Sequence, residues 1–206
     1  MEKIENWNEV EAKGMEDFKS LPIGAYECVI KNAEVYKNQE KNKESFKVEV
    51  DIASGEYKDY FQKRFDSNPN LLKKWDNNST RYLAFQGDNV SYFKGFITCV
   101  ENSNLGYKWD WDEAKLKGKK ICGVYQYEEY ENQEGKRGVK VRLNKFRSLN
   151  KIKEIEVSDS VKLLNGSYMS IDDYNEHKQN ASAEEIFGSS IVETDTGELP
   201  FEDFEI

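Results

Sequence analysis

Residues Phe46-Lys47-Val48-Glu49-Val50-Asp51-Ile52 alternate apolar and charged side chains without a break. Side chains along a strand point to opposite faces in turn, so this run is a half-buried strand with Phe46, Val48, Val50 and Ile52 on the core side and Lys47, Glu49 and Asp51 on the other. The same alternation returns in Val139-Lys140-Val141-Arg142-Leu143-Asn144-Lys145-Phe146. Two further β-type runs, 24–35 and 121–130, stand one before each of these segments. The polar connector 37–43 makes the first pair a hairpin, and a turn containing Gly135 joins the second. After Ser54-Gly55-Glu56 the ring-rich basic segment 57–65 is expected as a third strand.

The stretch 66–118 reads as helical. Asn68-Pro69-Asn70 is expected to open a helix over Leu71, Leu72 and Trp75, and Phe93, Phe96, Ile97 and Val100 recur at spacings of three and four over 90–101. Three strands, a helical excursion and two strands form the layout of a mainly β chain, the five-stranded, partly open oligonucleotide-binding (OB-fold) barrel. Four regions are expected: an N-terminal extension over 1–20 with a short helix bearing Trp7, Val10, Met15 and Phe18; the barrel over 21–155; a linker over 156–175; and an acidic tail over 176–206. A short helix over 160–175 would carry Val161, Leu163, Leu164 and Tyr168, and the tail is too polar to offset its chain entropy by burial and is expected to be disordered.

Charge follows this division. The net charge is −9, but residues 155–206 hold 13 acidic against 2 basic side chains, whereas 21–154 hold 25 basic against 20 acidic, a body of +5. Three widely spaced cysteines, Cys28, Cys99 and Cys122, suggest neither a disulfide framework nor a zinc site, and a reducing compartment is expected. No apolar run approaches a bilayer span, so no membrane association is expected.

Lys94-Gly95-Phe96-Ile97, Glu101-Asn102-Ser103-Asn104, Gly106-Tyr107-Lys108-Trp109-Asp110, Leu116-Lys117-Gly118-Lys119 and Glu128-Glu129-Tyr130, in this order, resemble a family of phage and mobile-element proteins of low-GC bacteria, in places described as single-stranded DNA-binding proteins. The resemblance covers about 22–155. The end, Glu198-Leu199-Pro200-Phe201, is similar to the acidic tip of bacterial single-stranded DNA-binding proteins, but here Glu202-Asp203-Phe204-Glu205-Ile206 follows the Pro-Phe pair and only Glu198 directly precedes the apolar residue. Partners of such tips grip the terminal Phe with its carboxylate, so docking through Phe201 would lack that carboxylate and Ile206 is the alternative end. The resemblance implies a protein of the bacterial host cytoplasm that coats single strands in replication, recombination and repair, and recruits replication or recombination proteins through Glu198, Leu199, Pro200, Phe201, Phe204 and Ile206.

A sequence-tolerant binder needs cations to track phosphates and rings to stack on bases. Tyr57, Tyr60, Phe61, Lys63 and Arg64 on the expected third strand offer both, as do Tyr125 and Tyr127 with Lys140, Arg142, Lys145 and Arg147. If Val139, Val141 and Leu143 face the core, Lys140 and Arg142 point outward together as phosphate contacts, although a solvated outer face has the same pattern. Of the neighbours Tyr60 and Phe61, only one can share a face with the groove.

Trp109-Asp110-Trp111-Asp112 can be read as a stacking platform, as a magnesium-binding carboxylate pair, or as structure, with one Trp plugging the barrel and Asp112 capping the turn Glu113-Ala114-Lys115-Leu116; the structural reading is favoured. The single histidine, His177, falls in the expected tail, and no Gly-rich phosphate cradle is present, so the chain reads as non-enzymatic and without a cofactor. Two alternatives remain open: an acidic interaction module or DNA mimic acting on a host nucleic-acid enzyme, and a metal-dependent nuclease using Asp110 and Asp112. A monomer and a DNA-wrapping homo-oligomer are equally compatible with the pattern. The acidic tail has three readings: a solubility tail, a docking peptide for protein partners, and an anionic segment that folds back to compete with nucleic acid.

Overall fold

The computed structural model describes residues 19–38 and 43–178. The N-terminal helix expected before residue 19, most of the tail expected to be disordered, and the docking residues Glu198, Leu199, Pro200, Phe201, Phe204 and Ile206 lie outside the described residues.

The described residues are mainly β, with seven strands in one mixed sheet that does not close: β1 (Gly24–Asn38), β2 (Lys43–Ile52), β3 (Thr80–Leu83), β4 (Lys120–Glu131), β5 (Arg137–Arg147), β6 (Ser160–Lys162) and β7 (Tyr168–Ser170). Their order is β3-β2-β1-β4-β6-β7, with β5 also paired to β4, and every pairing is antiparallel except β4 with β6. β1 spans both halves of the sheet, because Gly24–Val29 pair with β4 while Cys28–Asn38 pair with β2. The β1–β2 register shifts between Ile30 and Asn32, and a bulge of this kind bends a strand enough to serve two neighbours.

Phe46, Val48, Val50 and Ile52 are buried as their alternation requires, and Leu143 and Phe146 join them from β5. Glu49 and Asp51 are buried too, although alternation placed them on the half-exposed face. The cause differs for each. Glu49 pairs with Lys47 at 2.6 Å, and Asp51 is covered by a helix.

That helix, α1 (Tyr60–Ser67), corrects the third strand expected over 57–65. Phe61 and Phe65 sit four apart, a helical interval, and the fully buried Asp51 carboxylate accepts the N–H groups of Ile52 and Phe61 at 2.9 Å and of Gln62 at 3.1 Å. Unpaired N–H groups at the helix start are thereby satisfied from another strand. The third strand is instead β3, four residues long. The helix expected over Leu71, Leu72 and Trp75 is absent: Asn68 and Asn70 side chains accept the N–H groups of Asn70 and Leu72, a local alternative to helical bonding, and Leu71 is 99% exposed. Trp75 donates to the Val50 carbonyl at 3.2 Å.

α2 (Val90–Ser103) forms where its periodicity places it, with Phe93, Phe96, Ile97 and Val100 buried against the sheet. Trp109 packs on Phe46 and Phe93, while Trp111 projects outward. Asp112 accepts the Ala114 N–H at the start of the 3₁₀ turn Glu113–Leu116, as expected of a cap.

Over 160–175 the short helix is replaced by the β6–β7 hairpin, and residues 171–178 are helical. Val161 is fully buried opposite Tyr127, so this segment packs on the sheet. Three residues per strand are too few for a period to show in the sequence.

Gly123 in β4 is closely packed. A Cβ there would stand 2.9 Å from Cys28 Sγ and 3.1 Å from Leu143 Cδ1. Gly123→Ala is expected to lower stability by about 1–3 kcal/mol, read as an earlier urea midpoint at unchanged slope.

Among the described residues no helix is long and apolar enough to cross a membrane.

Candidate nucleic-acid interface

The residues that sequence patterns single out for base and phosphate contact divide into three groups. Phe61 and Tyr125 belong to the core, stacked on each other with centroids 5.8 Å apart and planes 17° apart. Tyr125 Oη shares a hydrogen bond with Ser79 Oγ at 2.8 Å, and complete burial pushes its phenol well above the usual tyrosine range. Neither ring offers a face to a base, which corrects their assignment to the interface. Tyr57 is half-buried, edge-on to Tyr26 and Tyr60.

A second group lines a cleft of about 350 Å³ between α1 and β4–β5, built from Tyr60, Arg64, Tyr127 and Lys140. Its cations are engaged. Arg64 Nε lies 3.3 Å from Asp76, its guanidinium stands 5.6 Å from the centre of the Tyr60 ring, and Lys140 Nζ lies 5.1 Å from the centre of Tyr130. Lys63 donates to the Lys58 carbonyl at 3.1 Å from the exposed side of α1. Arg142 points away from the Leu143 face as alternation requires, but its Nη1 is 3.3 Å from Glu128. Lys140 and Arg142 are thus both half-buried and engaged, Lys140 by a ring and Arg142 by a carboxylate.

The third group lines the larger of the two spaces. Lys145 and Arg147 line a groove of about 720 Å³ between β3, β5 and α2, together with Arg81, Tyr92 and Tyr168. No carboxylate stands within 4.0 Å of the Arg81, Lys145 or Arg147 cationic groups among the described residues. Burial pulls the Arg81 guanidinium below its usual value, Glu128 opposes this, and Arg142 adds to it; arginine remains charged at any physiological pH. Tyr92 is 70% exposed and Tyr168 57%, and neither stacks on another ring among the described residues. Gly95 of α2 opens onto the same groove, and a Cβ there would meet no described atom within 4 Å beyond its own stretch of helix. On the wall opposite α2, a bulge between Val124 and Tyr125 in the β4–β5 register brings Asn144 to donate to Gln126.

Of the residues lining this groove, the sequence pattern singles out Lys145 and Arg147 but not Arg81, Tyr92 or Tyr168. Tyr92 was within reach, because Tyr92, Gly95, Phe96 and Cys99 lie along one flank of the α2 apolar stripe. Arg81 and Tyr168 sit in strands of four and three residues and carry no periodic signal.

The Trp109–Asp112 segment is arranged structurally. Asp110 and Asp112 both face Lys115, the second at 3.5 Å, and Lys115 together with backbone N–H groups holds the Asp110 carboxyl below its usual range. Among the described residues no three His, Cys, Asp or Glu side chains converge as a metal-ligand set. No protein-family model matches the chain, and no curated protein is significantly similar to it in sequence.

Proposed function

We propose that this protein binds single-stranded DNA without sequence preference, through the groove between β3, β5 and α2. The observation that carries this reading is the pairing of three cations that have no carboxylate partner among the described residues with two exposed tyrosines that stack on no other described ring, all on one groove of about 720 Å³. Phosphate tracking needs the first and base stacking the second.

The strand plan supports the reading. β1 is shared by β2 and β4, β2 pairs with β3, β4 pairs with β5, and α2 lies between β3 and β4. Four antiparallel pairings make β3 and β5 run in the same direction, facing each other across the groove without a hydrogen-bonded ladder. This order supports reading the sheet as a partly open OB barrel, a fold whose binding surface includes the strand 2–3 face. The resemblance of residues 22–155 to phage and mobile-element single-stranded DNA-binding proteins agrees with it. On this proposal the protein acts in the host cytoplasm during replication and recombination, and the acidic end beyond residue 178 recruits partner proteins.

Titrating the full chain with oligo(dT) and with a duplex of equal length, each at two salt concentrations, tests the reading through tryptophan fluorescence and gel shift. Binding to the single strand that weakens steeply with salt, with little binding to the duplex, is expected. Equal affinity for both, or none for either, overturns it.

A further inference from the structure

β6 and β7 have three residues each and cannot hold a hairpin by themselves. Their anchor is a buried carboxylate. Glu129 of β4, 7% exposed, accepts the Leu164 N–H at 3.0 Å and the Tyr174 hydroxyl at 3.3 Å, with Arg137 Nη1 at 4.0 Å. Val161 fills the sheet beneath, and the Ile171 N–H donates to the Asp159 carbonyl at 2.9 Å to close the hairpin base. A buried carboxylate that satisfies donors from both the turn and the following helix ties this segment to the sheet in one geometry.

That geometry delivers one ring to the groove. Tyr168, the first residue of β7, lines it beside Arg81 and lies within the electrostatic reach of that guanidinium, with its aromatic face unoccupied by any other ring among the described residues. We propose that the β6–β7 hairpin is a docked wall of the DNA groove, in which Tyr168 stacks on a base and Glu129 is the positioning residue that holds Tyr168 in place. This rests on the single-stranded DNA reading above. The segment that reads as a linker in the sequence is then part of the binding site, and a protein ending at residue 155 would lack one side of its groove.

The test uses the full chain and a fluorescein-labelled oligo(dT), followed by anisotropy. Tyr168→Ala is expected to weaken binding at least about fivefold, the lower range for one stacked base, with the salt dependence unchanged because no phosphate contact is removed. Tyr168→Phe and Tyr168→Trp are expected to bind like the unsubstituted protein. Glu129→Gln is expected to weaken binding about as much as Tyr168→Ala, and the double variant no further, since both act through one ring. Unchanged affinity in Tyr168→Ala, while substitution of Arg81, Lys145 and Arg147 weakens binding, overturns the hairpin proposal and leaves the groove reading intact. An additive double variant overturns the positioning role of Glu129. Failure of the unsubstituted protein to bind oligo(dT) overturns both readings together.

Discussion

Replacing Arg81, Lys145 and Arg147 together by alanine is expected to lower affinity for oligo(dT) about a hundredfold or more at low salt and to flatten its salt dependence. Each phosphate contact to a single strand contributes roughly 0.7 to the slope of log affinity against log salt, so losing three should reduce the slope by about 2. Lys140→Ala with Arg142→Ala is the matched control. Those two side chains already lie against Tyr130 and Glu128, so removing them should change the slope by less. If the Lys140–Arg142 pair dominates instead, the strand runs over the β4–β5 hairpin and the groove between β3 and β5 is not its path.

Asp51→Ala should be the most disruptive single substitution for the fold. It leaves the N–H groups of Ile52, Phe61 and Gln62 without their acceptor in a place water reaches poorly, at a cost of about 2–4 kcal/mol. For a chain of this size that corresponds to a Tm lower by roughly 5–15 °C, measured by circular dichroism. Asp51→Asn keeps one acceptor oxygen and should lose less. Burial also holds the Asp51 carboxyl above its usual range despite these donors, so the folded chain keeps that proton more firmly than the unfolded one. The contribution of this group to stability therefore falls as pH rises past about 4, the unfolded value, and the fall should vanish in Asp51→Asn. A Tm unaffected by Asp51→Ala would mean that Phe61 packing alone holds α1.

Strands with four or more alternating positions, and the three-and-four spacing of α2, could be read directly from the residues. α1 could not. Its start is stabilised by a carboxylate about ten positions upstream, and a window centred on 57–65 sees only rings and cations that suit a strand equally well. The groove was half legible for a related reason. Lys145 and Arg147 stand on a long alternating strand, whereas Arg81 and Tyr168 enter from very short strands brought alongside by pairing between distant segments. Phe61 and Tyr125 were misplaced because a ring beside cations has the same local sequence whether it packs inward or faces a ligand. Only the stacking between them, 64 positions apart, decides the matter.

The unclosed seam between β3 and β5 has a consequence for how the protein behaves at high concentration. Each of these strands presents a row of backbone donors and acceptors with no partner strand among the described residues, the kind of border through which β proteins join into aggregates. β3 is only four residues long and carries Arg81, while β5 carries Lys145 and Arg147, so like charges would oppose a second copy pairing with either border. The side chains that would meet phosphate would thus also oppose edge-to-edge association. Neutralising them should raise light scattering before DNA is added, and DNA itself should act as a solubilising ligand by occupying the same borders.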